Sequence, residues 1–340
     1  MFRKLTKLLL ILGILFTGTL VSAHKVQAAG ASFSVSRVAN KNQNDTSVSY
    51  FDLKLKPAQV TKVQVKVTNL SNKTLHLIAS PNTGYTTDGG AVAYDLQNPG
   101  QKSTAPAQLQ KIMGGQQKVT VAPKGQRIVS FTVKMPTTTF KGVLDGAIYF
   151  LDTKTSSPTA TNKKNFTISN RYAMALGMTL HEDTQTIIAP SLALGKIDTG
   201  MDNADEFSPA FKVNIINNHA ALAKKLHITR QISKHGNVLF KTNTANLTMA
   251  ADYNFNYAIT TNHTALKAGT YHLHLVAKSG VKKWTFNRTF TITNAQAKKA
   301  NKHAHIKKSY LIWYILAAIL LLLLLIFAFW LGKRSSKSKK

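Results

Sequence analysis

Cysteine is absent from all 340 residues. Disulfides, thiolate zinc sites and cysteine nucleophiles are excluded with it, so an exported chain of this composition must be held by its hydrophobic cores. Acid is scarce: 13 Asp and Glu stand against 44 Lys and Arg, a formal net charge of +31. Such a field attracts polyanions and bears on partners rather than on fold. Enzyme motifs are lacking too. There is no G-x-S-x-G and no H-E-x-x-H. Ser279-Gly280-Val281-Lys282 spells S-x-x-K, but where a hairpin turn is expected instead of a helix start. His272 and His274 share a strand face without a third ligand. Asp198, Asp202, Asp205 and Glu206 gather in one loop without EF-hand spacing. Neither group implies a metal site, and no cofactor is expected.

Long apolar runs occur only at the two ends. Arg3, Lys4 and Lys7 precede Leu8–Phe16, and small residues follow, the pattern of a secretory signal peptide over 1–28 with cleavage after Ala28, before Ala29. At the other end, 310–331 reads YLIWYILAAILLLLLLIFAFWL without a charge. At 1.5 Å per residue such a helix spans roughly 33 Å, about the thickness of a bilayer core. Tyr310, Trp313 and Tyr314 at one end and Trp330 at the other are placed as interface anchors. The tail 332–340 carries Lys333, Arg334, Lys337, Lys339 and Lys340. Five lysines also precede the span, so flanking charge alone leaves orientation tied. The signal peptide breaks the tie: residues 29–309 face outward and the tail lies in the cytoplasm, where each basic residue near an anionic leaflet is worth about 1 kcal/mol. Export without cysteine, a single C-terminal span and a lysine-rich end point to the cell membrane of a Gram-positive bacterium, with the ectodomain toward the wall. The expected partners are peptidoglycan and anionic wall polymers, and nucleic acid is excluded by the topology.

Between the ends the pattern is β. Phe51, Leu53 and Leu55 alternate with Asp52, Lys54 and Lys56, and Val63, Val65 and Val67 alternate with Gln64, Lys66 and Thr68. Val129, Phe131, Val133 and Met135 share one parity. Residues 81–118 are rich in Gly, Pro, Asn and Thr and read as long loops over a rigid scaffold. NRYAMALGMTL, at 170–180, is expected to return as a hairpin on GAIYFL, which moves the structural boundary to about 181–191. FKVNIINNHAALAKKLHIT at 211–229 repeats the build of KVTNLSNKTLHLI at 66–78: a strand, an Asn-rich turn and a second strand. Tyr271, Leu273 and Leu275 are expected to face inward, with Trp284, Phe286 and Phe290 opposite. The expected fold is all-β: two immunoglobulin-like β-sandwich domains in tandem plus one C-terminal transmembrane helix. No amphipathic helix is expected before residue 295, and 295–309 reads as a basic stalk.

Several stretches together resemble one family. FSVSRVANKNQND, SYFDLKLKPAQ, PNTGYTTDGGAVAY, APKGQRIVSFTVKMP and FKGVLDGAIYF are similar to the first domain of the WxL-interacting proteins. NRYAMALGMTLHE, APSLALGKI, MAADYNFNYAI and KAGTYHLHLVAKSGVKKWTFNRTFTI are similar to the second. The resemblance implies a peptidoglycan-binding domain at 31–155, a host-binding domain at 164–294, and WxL-domain surface proteins and host extracellular-matrix proteins as partners. It differs from the family pattern in turns, as at Pro57-Ala58-Gln59 and Asn217-Asn218. The chain has no Trp-x-Leu triplet, so it reads as the partner of a WxL protein and not as one itself. Function is then expected to be non-enzymatic adhesion. A membrane-bound chaperone or assembly factor for surface proteins is one rival, and a wall-active enzyme, which would need paired carboxylates in a cleft, is the other. Asn82, Tyr85, Asp88 and Tyr94 are the expected glycan contacts, since amides, hydroxyls and aromatic faces suit sugars.

Overall fold

The computed structural model describes residues 31–99, 105–154, 171–202, 205–306 and 311–337, without side chains at 311–312 and 328–337. The signal peptide with Ala28, most of 152–164, Tyr310, Lys339 and Lys340 lie outside the described residues. So do the side chains of Trp330, Lys333, Arg334 and Lys337.

The first half of the chain contributes β1 (Phe33–Arg37), β2 (Phe51–Lys54), β3 (Val60–Asn69), β4 (Leu75–Thr83), β5 (Tyr85–Thr86), β6 (Val92–Ala93), α1 (Leu109–Met113), β7 (Gln117–Val121), β8 (Gln126–Lys134), β9 (Val143–Asp152) and β10 (Ala173–His181). They form a sheet ordered β1-β3-β8 and a second ordered β2-β10-β9-β4-β7, with β5 and β6 as a small ribbon. Alternation decides which side chains join the core. Val63, Val65 and Val67 of β3 and Val129, Phe131 and Val133 of β8 meet Leu77, Ile148, Phe150 and Leu180 of the other sheet in one cluster. β10 pairs antiparallel with β9, from Ala173↔Leu151 to His181↔Val143, the hairpin pairing expected for 170–180. It also holds β2 in parallel, with Thr179 opposite Asp52.

The second half contributes β11 (Leu192–Asp202), β12 (Ser208–Asn217), β13 (Ala223–Lys234), β14 (Asn237–Met249), β15 (Asn254–Thr260), β16 (Gly269–Ser279) and β17 (Lys282–Ile292). The sheets are β11-β12-β15 and β14-β13-β16-β17. Phe211 is fully buried, and its ring meets Tyr271 and Phe290 edge-on at 5.1 and 5.7 Å. Tyr271, Leu273 and Leu275 point into the core, and Trp284, Phe286 and Phe290 pack half-buried against it. The repeated Asn-rich turn has a shared anchor. The buried Asn69 amide donates to the carbonyls of Lys73, Val121 and Ala122. Asn217 does the same to Ala221 and Ala250, and its carbonyl oxygen accepts from Ser191 and His219 backbone N–H.

Two expectations need correction. The loop region 81–118 contains α1, whose Leu109 and Met113 are buried in the first core. The expected stalk begins instead as α2 (Asn294–Lys302), started by a capping box between Thr293 and Gln296. Ala297 and Ala300, three apart and therefore on one face, enter the second core. A lysine-rich composition hid this, because two alanines suffice where the helix lies close to the sheet. The C-terminal segment α3 (Leu311–Lys337) is helical; among the described residues no helix is long and apolar enough to cross a membrane. Trp313 and Tyr314 are 70% and 72% exposed.

Candidate functional site

Of the expected glycan residues, Tyr85 and Asp88 reach the second half, while Asn82 and Tyr94 bond within the first. Asn82 has no exposed surface, and its amide donates to the Tyr94 carbonyl at 2.7 Å. It offers no side-chain surface to a sugar. The half-buried Tyr85 donates its hydroxyl to Asp95 at 2.7 Å and lies with its ring centroid 6.0 Å from that of Tyr253 in the second half. Burial, then the Asp95 carboxylate, push its phenol up. Asp88 pairs with Lys212 at 3.6 Å across the junction. Tyr94 donates to the Asp145 carboxylate at 3.4 Å.

Three further hydrogen bonds, each from a backbone N–H, cross the junction. Ala250 N–H donates to Thr86 Oγ1, Thr248 N–H to Gly90 O, and Val143 N–H to Ala220 O, at 2.8–2.9 Å. Two glycines permit this approach. Gly90 (φ 77°) and Gly142 (φ 90°) occupy the left-handed region. A Cβ at Gly142 would sit 2.2 Å from Ala220 O, and one at Gly90 2.7 Å from Leu247 Cδ2. Part of the loop 81–118 is thus held by contacts to both halves. Gly, Asn, Thr and Tyr suit a sugar site and a polar interface equally, so residue type alone does not distinguish the two.

Beside the junction lies an open cleft that spacing did not reveal. Asn44, Tyr50, Asp52, Thr179, His181 and Asp183 line one wall, and Ala220–Leu222 with Lys224 line the other. The parallel β2–β10 pairing puts Asp52 opposite Thr179, with His181 two residues on and so on the same side. Asp52 Oδ1 accepts from Thr179 Oγ1 and contacts His181 Nε2, both at 2.8 Å, while Oδ2 accepts from the Asn44 amide at 2.9 Å. Burial alone would raise this carboxyl. The hydrogen bonds from Asn44 and Thr179, with His181, hold it below the ordinary aspartate range. No signal within one strand could pair His181 with a residue 129 positions away.

Asp145 stands in the same row, opposite Thr179 on the other neighbour of β10. Burial pushes its carboxyl up to about 7, against the opposing effects of Tyr94 and Lys224. Two aspartates shifted in opposite senses invite comparison with an acid–base pair. However, Asp145 is 8% exposed and does not line the cleft. A general acid must come within hydrogen-bond reach of its substrate. The cleft therefore offers a carboxylate, an imidazole, an amide, hydroxyls, an ammonium and the 38% exposed ring of Tyr50, a set suited to holding a polar ligand. Among the described residues no group of three His, Asp or Glu side chains is arranged to hold a metal ion.

The fold and cleft define an all-β protein whose polar surfaces suit binding. Two family models match in order. One, described as "WxL Interacting Protein, peptidoglycan binding domain", matches residues 33–152. The other, "WxL Interacting Protein, host binding domain", matches residues 163–302. The chain belongs to the WxL-interacting protein family. Both families are binding domains and not enzymes. The second match begins before β10, although β10 hydrogen-bonds into the first half's sheet.

No curated protein matches the chain. Among solved structures, the Pseudomonas aeruginosa CupB2 chaperone is similar at 11% identity, covering 70% of this chain and 96% of its own, with a TM-score of 0.27. The CsuC–CsuE chaperone–tip adhesion subunit complex of Acinetobacter baumannii is similar at 10% identity, 69% and 93% coverage and a TM-score of 0.29. Class 5 fimbriae chaperone CfaA is similar at 13% identity, 77% and 99% coverage and a TM-score of 0.26. Scores this low carry no argument.

Proposed function

We propose that this protein is a non-enzymatic adaptor anchored in the membrane of a Gram-positive cell, with its ectodomain toward the wall. Its two halves are read as immunoglobulin-like sandwiches. The first holds peptidoglycan, and the second engages a WxL-domain surface protein or a host matrix protein in adhesion. The observation that carries this reading is the ordered match of a peptidoglycan-binding and a host-binding family model over 33–302. The uncharged apolar run 310–331 and the basic residues behind it support the anchor. Tethering makes modest single-site affinities sufficient by raising local concentration.

We place the peptidoglycan contact at the cleft around Tyr50, Asp52 and His181, where an exposed ring, a carboxylate and an imidazole meet peptide amines, amides and sugar hydroxyls. The test is co-sedimentation of detergent-solubilised full chain with peptidoglycan stripped of anionic polymers. Tyr50→Ala with Asp52→Asn should weaken binding on the order of tenfold, or ~1.4 kcal/mol. Unchanged binding by this variant would remove the cleft from the reading, and no binding by the wild type would remove the function. Capture from native envelopes that retained no WxL-domain protein would remove that partner.

A further inference from the structure

We propose that the outer face of the sheet β14-β13-β16-β17 is a docking surface for a linear polyol-phosphate polymer of the wall, distinct from the peptidoglycan cleft. The choice of a wall polymer rests on the reading of the chain as a wall-facing adaptor. The choice of a polyanion rests on the sheet itself.

Charge is sorted between the two sheets of the second half. Its acids lie on β11 (Asp198, Asp202), in the following loop (Asp205, Glu206) and at Asp252. The strands β13, β14, β16 and β17 contain no acidic residue. Their basic residues divide by direction. Arg230 is turned inward, with its guanidinium 4.9 Å from the Tyr257 ring and donating to Thr244. Lys234 donates to Ala268 O, and Arg288 to the carbonyls of Leu194 and Gly195. These groups have internal partners and hold the sheets together.

The outward set is different. Cross-strand register aligns Lys241, Gln231, His274 and Asn287 in one row. Ser233, His272 and Thr289 make the next, and His227, Lys278 and Lys283 lie at the far end. Partners directly across a ladder project to the same side, so these side chains share a face. His272 bonds Thr289 at 2.8 Å and His274 bonds Asn287 at 2.6 Å, which fixes both rings against the sheet. Lys241, Lys278 and Lys283 are exposed, and no ion pair among the described residues involves them.

This chemistry selects the occupant. With strands about 4.8 Å apart and alternate residues about 6.8 Å apart along a strand, the rows present positive groups and hydrogen-bond donors over an open plane, as an extended chain requires. The face carries no Phe, Tyr or Trp in these rows, so it provides no platform for stacking bases or sugar rings. Phosphodiester groups meet the lysine ammonium charges and imidazole nitrogens, and polyol hydroxyls meet Gln231, Ser233, Asn287 and Thr289.

The test titrates the detergent-solubilised full chain with poly(glycerol phosphate), with heparin and with neutral dextran. The wild type should bind the glycerol phosphate polymer and release it as salt rises from about 0.05 to 0.5 M, where screening shortens to a few ångströms. Lys241→Gln/Lys278→Gln/Lys283→Gln should lose on the order of tenfold or more in affinity, as expected when phosphate neutralisation is removed. Removing the same charge from the outer face of β3 and β8 with Lys62→Gln/Lys66→Gln/Lys134→Gln should change affinity less than about twofold. Equal losses in the two variants would show that the whole protein's field, and not this face, does the binding, and would overturn the proposal. So would failure of the wild type to bind the polymer, or binding of heparin alone. If circular dichroism shows the first variant misfolded, His272→Gln/His274→Gln takes its place, with a severalfold loss expected and none overturning the proposal. Binding to stripped peptidoglycan is measured in parallel: it should survive the sheet-face substitutions, and its absence in the wild type would refute the peptidoglycan contact while the polymer titration still decides the sheet face.

Discussion

Replacing Asp145 with Asn should make the protein more stable at alkaline pH and remove much of its stability change between mild acid and neutrality. The Asp145 side chain sits beneath the junction, 8% exposed, against Tyr94 and in register with Thr179. Its carboxyl is pushed from the ordinary 3.8 up to about 7, first by burial, with Tyr94 and Lys224 opposing. Between those values the folded chain holds a proton that the unfolded chain has released. Stability from this group is therefore complete below pH 3.8 and is lost as pH rises through about 7. At ~1.36 kcal/mol per pH unit the whole shift corresponds to an upper value of about 4 kcal/mol. An amide keeps the shape and never ionises, so Asp145→Asn should exceed the wild type by about 2–4 kcal/mol at pH 8, by about 1–2 kcal/mol at pH 5, and lie close to it only below about pH 4. Urea unfolding followed by circular dichroism across that range provides the numbers. The difference between the two proteins matters, because Asp52 and Asp198 are held low in the folded state and lose stability in the opposite direction, on acidification. Parallel curves for wild type and variant would refute the assignment of a buried, reluctant carboxylate.

Gly142→Ala should separate the halves, since the added Cβ would strike Ala220 O and φ 90° suits only glycine; small-angle scattering should show a larger radius of gyration while circular dichroism keeps its β signature. Asn217→Ala removes donors to two buried carbonyls and should cost about 2–4 kcal/mol in denaturant unfolding. Phe211→Ala, at the centre of the second aromatic cluster, should cost about 3–5 kcal/mol by the same measurement, and a loss below ~1 kcal/mol would contradict its place in the core.

Period-two alternation was enough to pick out the inward faces of β3, β8 and β16, because in a half-buried strand each side chain's fate is set by its parity. The hairpin return of β10 on β9 was legible too, since an apolar strand needs a partner and the nearest one was close in sequence. The capped helix α2 was less visible because its buried stripe is only alanine. Asn82, Tyr85, Asp88 and Tyr94 were recognisable as a special cluster, but residue type cannot distinguish a loop that meets sugar from one that meets another domain.

What the sequence determined by itself was local or compositional: alternating strands, scarce acid, absent cysteine, two apolar ends and motifs specific enough to indicate the family. What only the tertiary structure decided was which distant residues meet. Asp52 and His181 come together through a parallel pairing, and Thr86, Gly90 and Gly142 become a junction through contacts with 220–250. Lys241, Lys278 and Lys283 share a face only through the register of four strands. The reason is physical. Periodicity is carried by neighbours along the chain, whereas sites are built across strands, and the partner of a strand is chosen by the whole core.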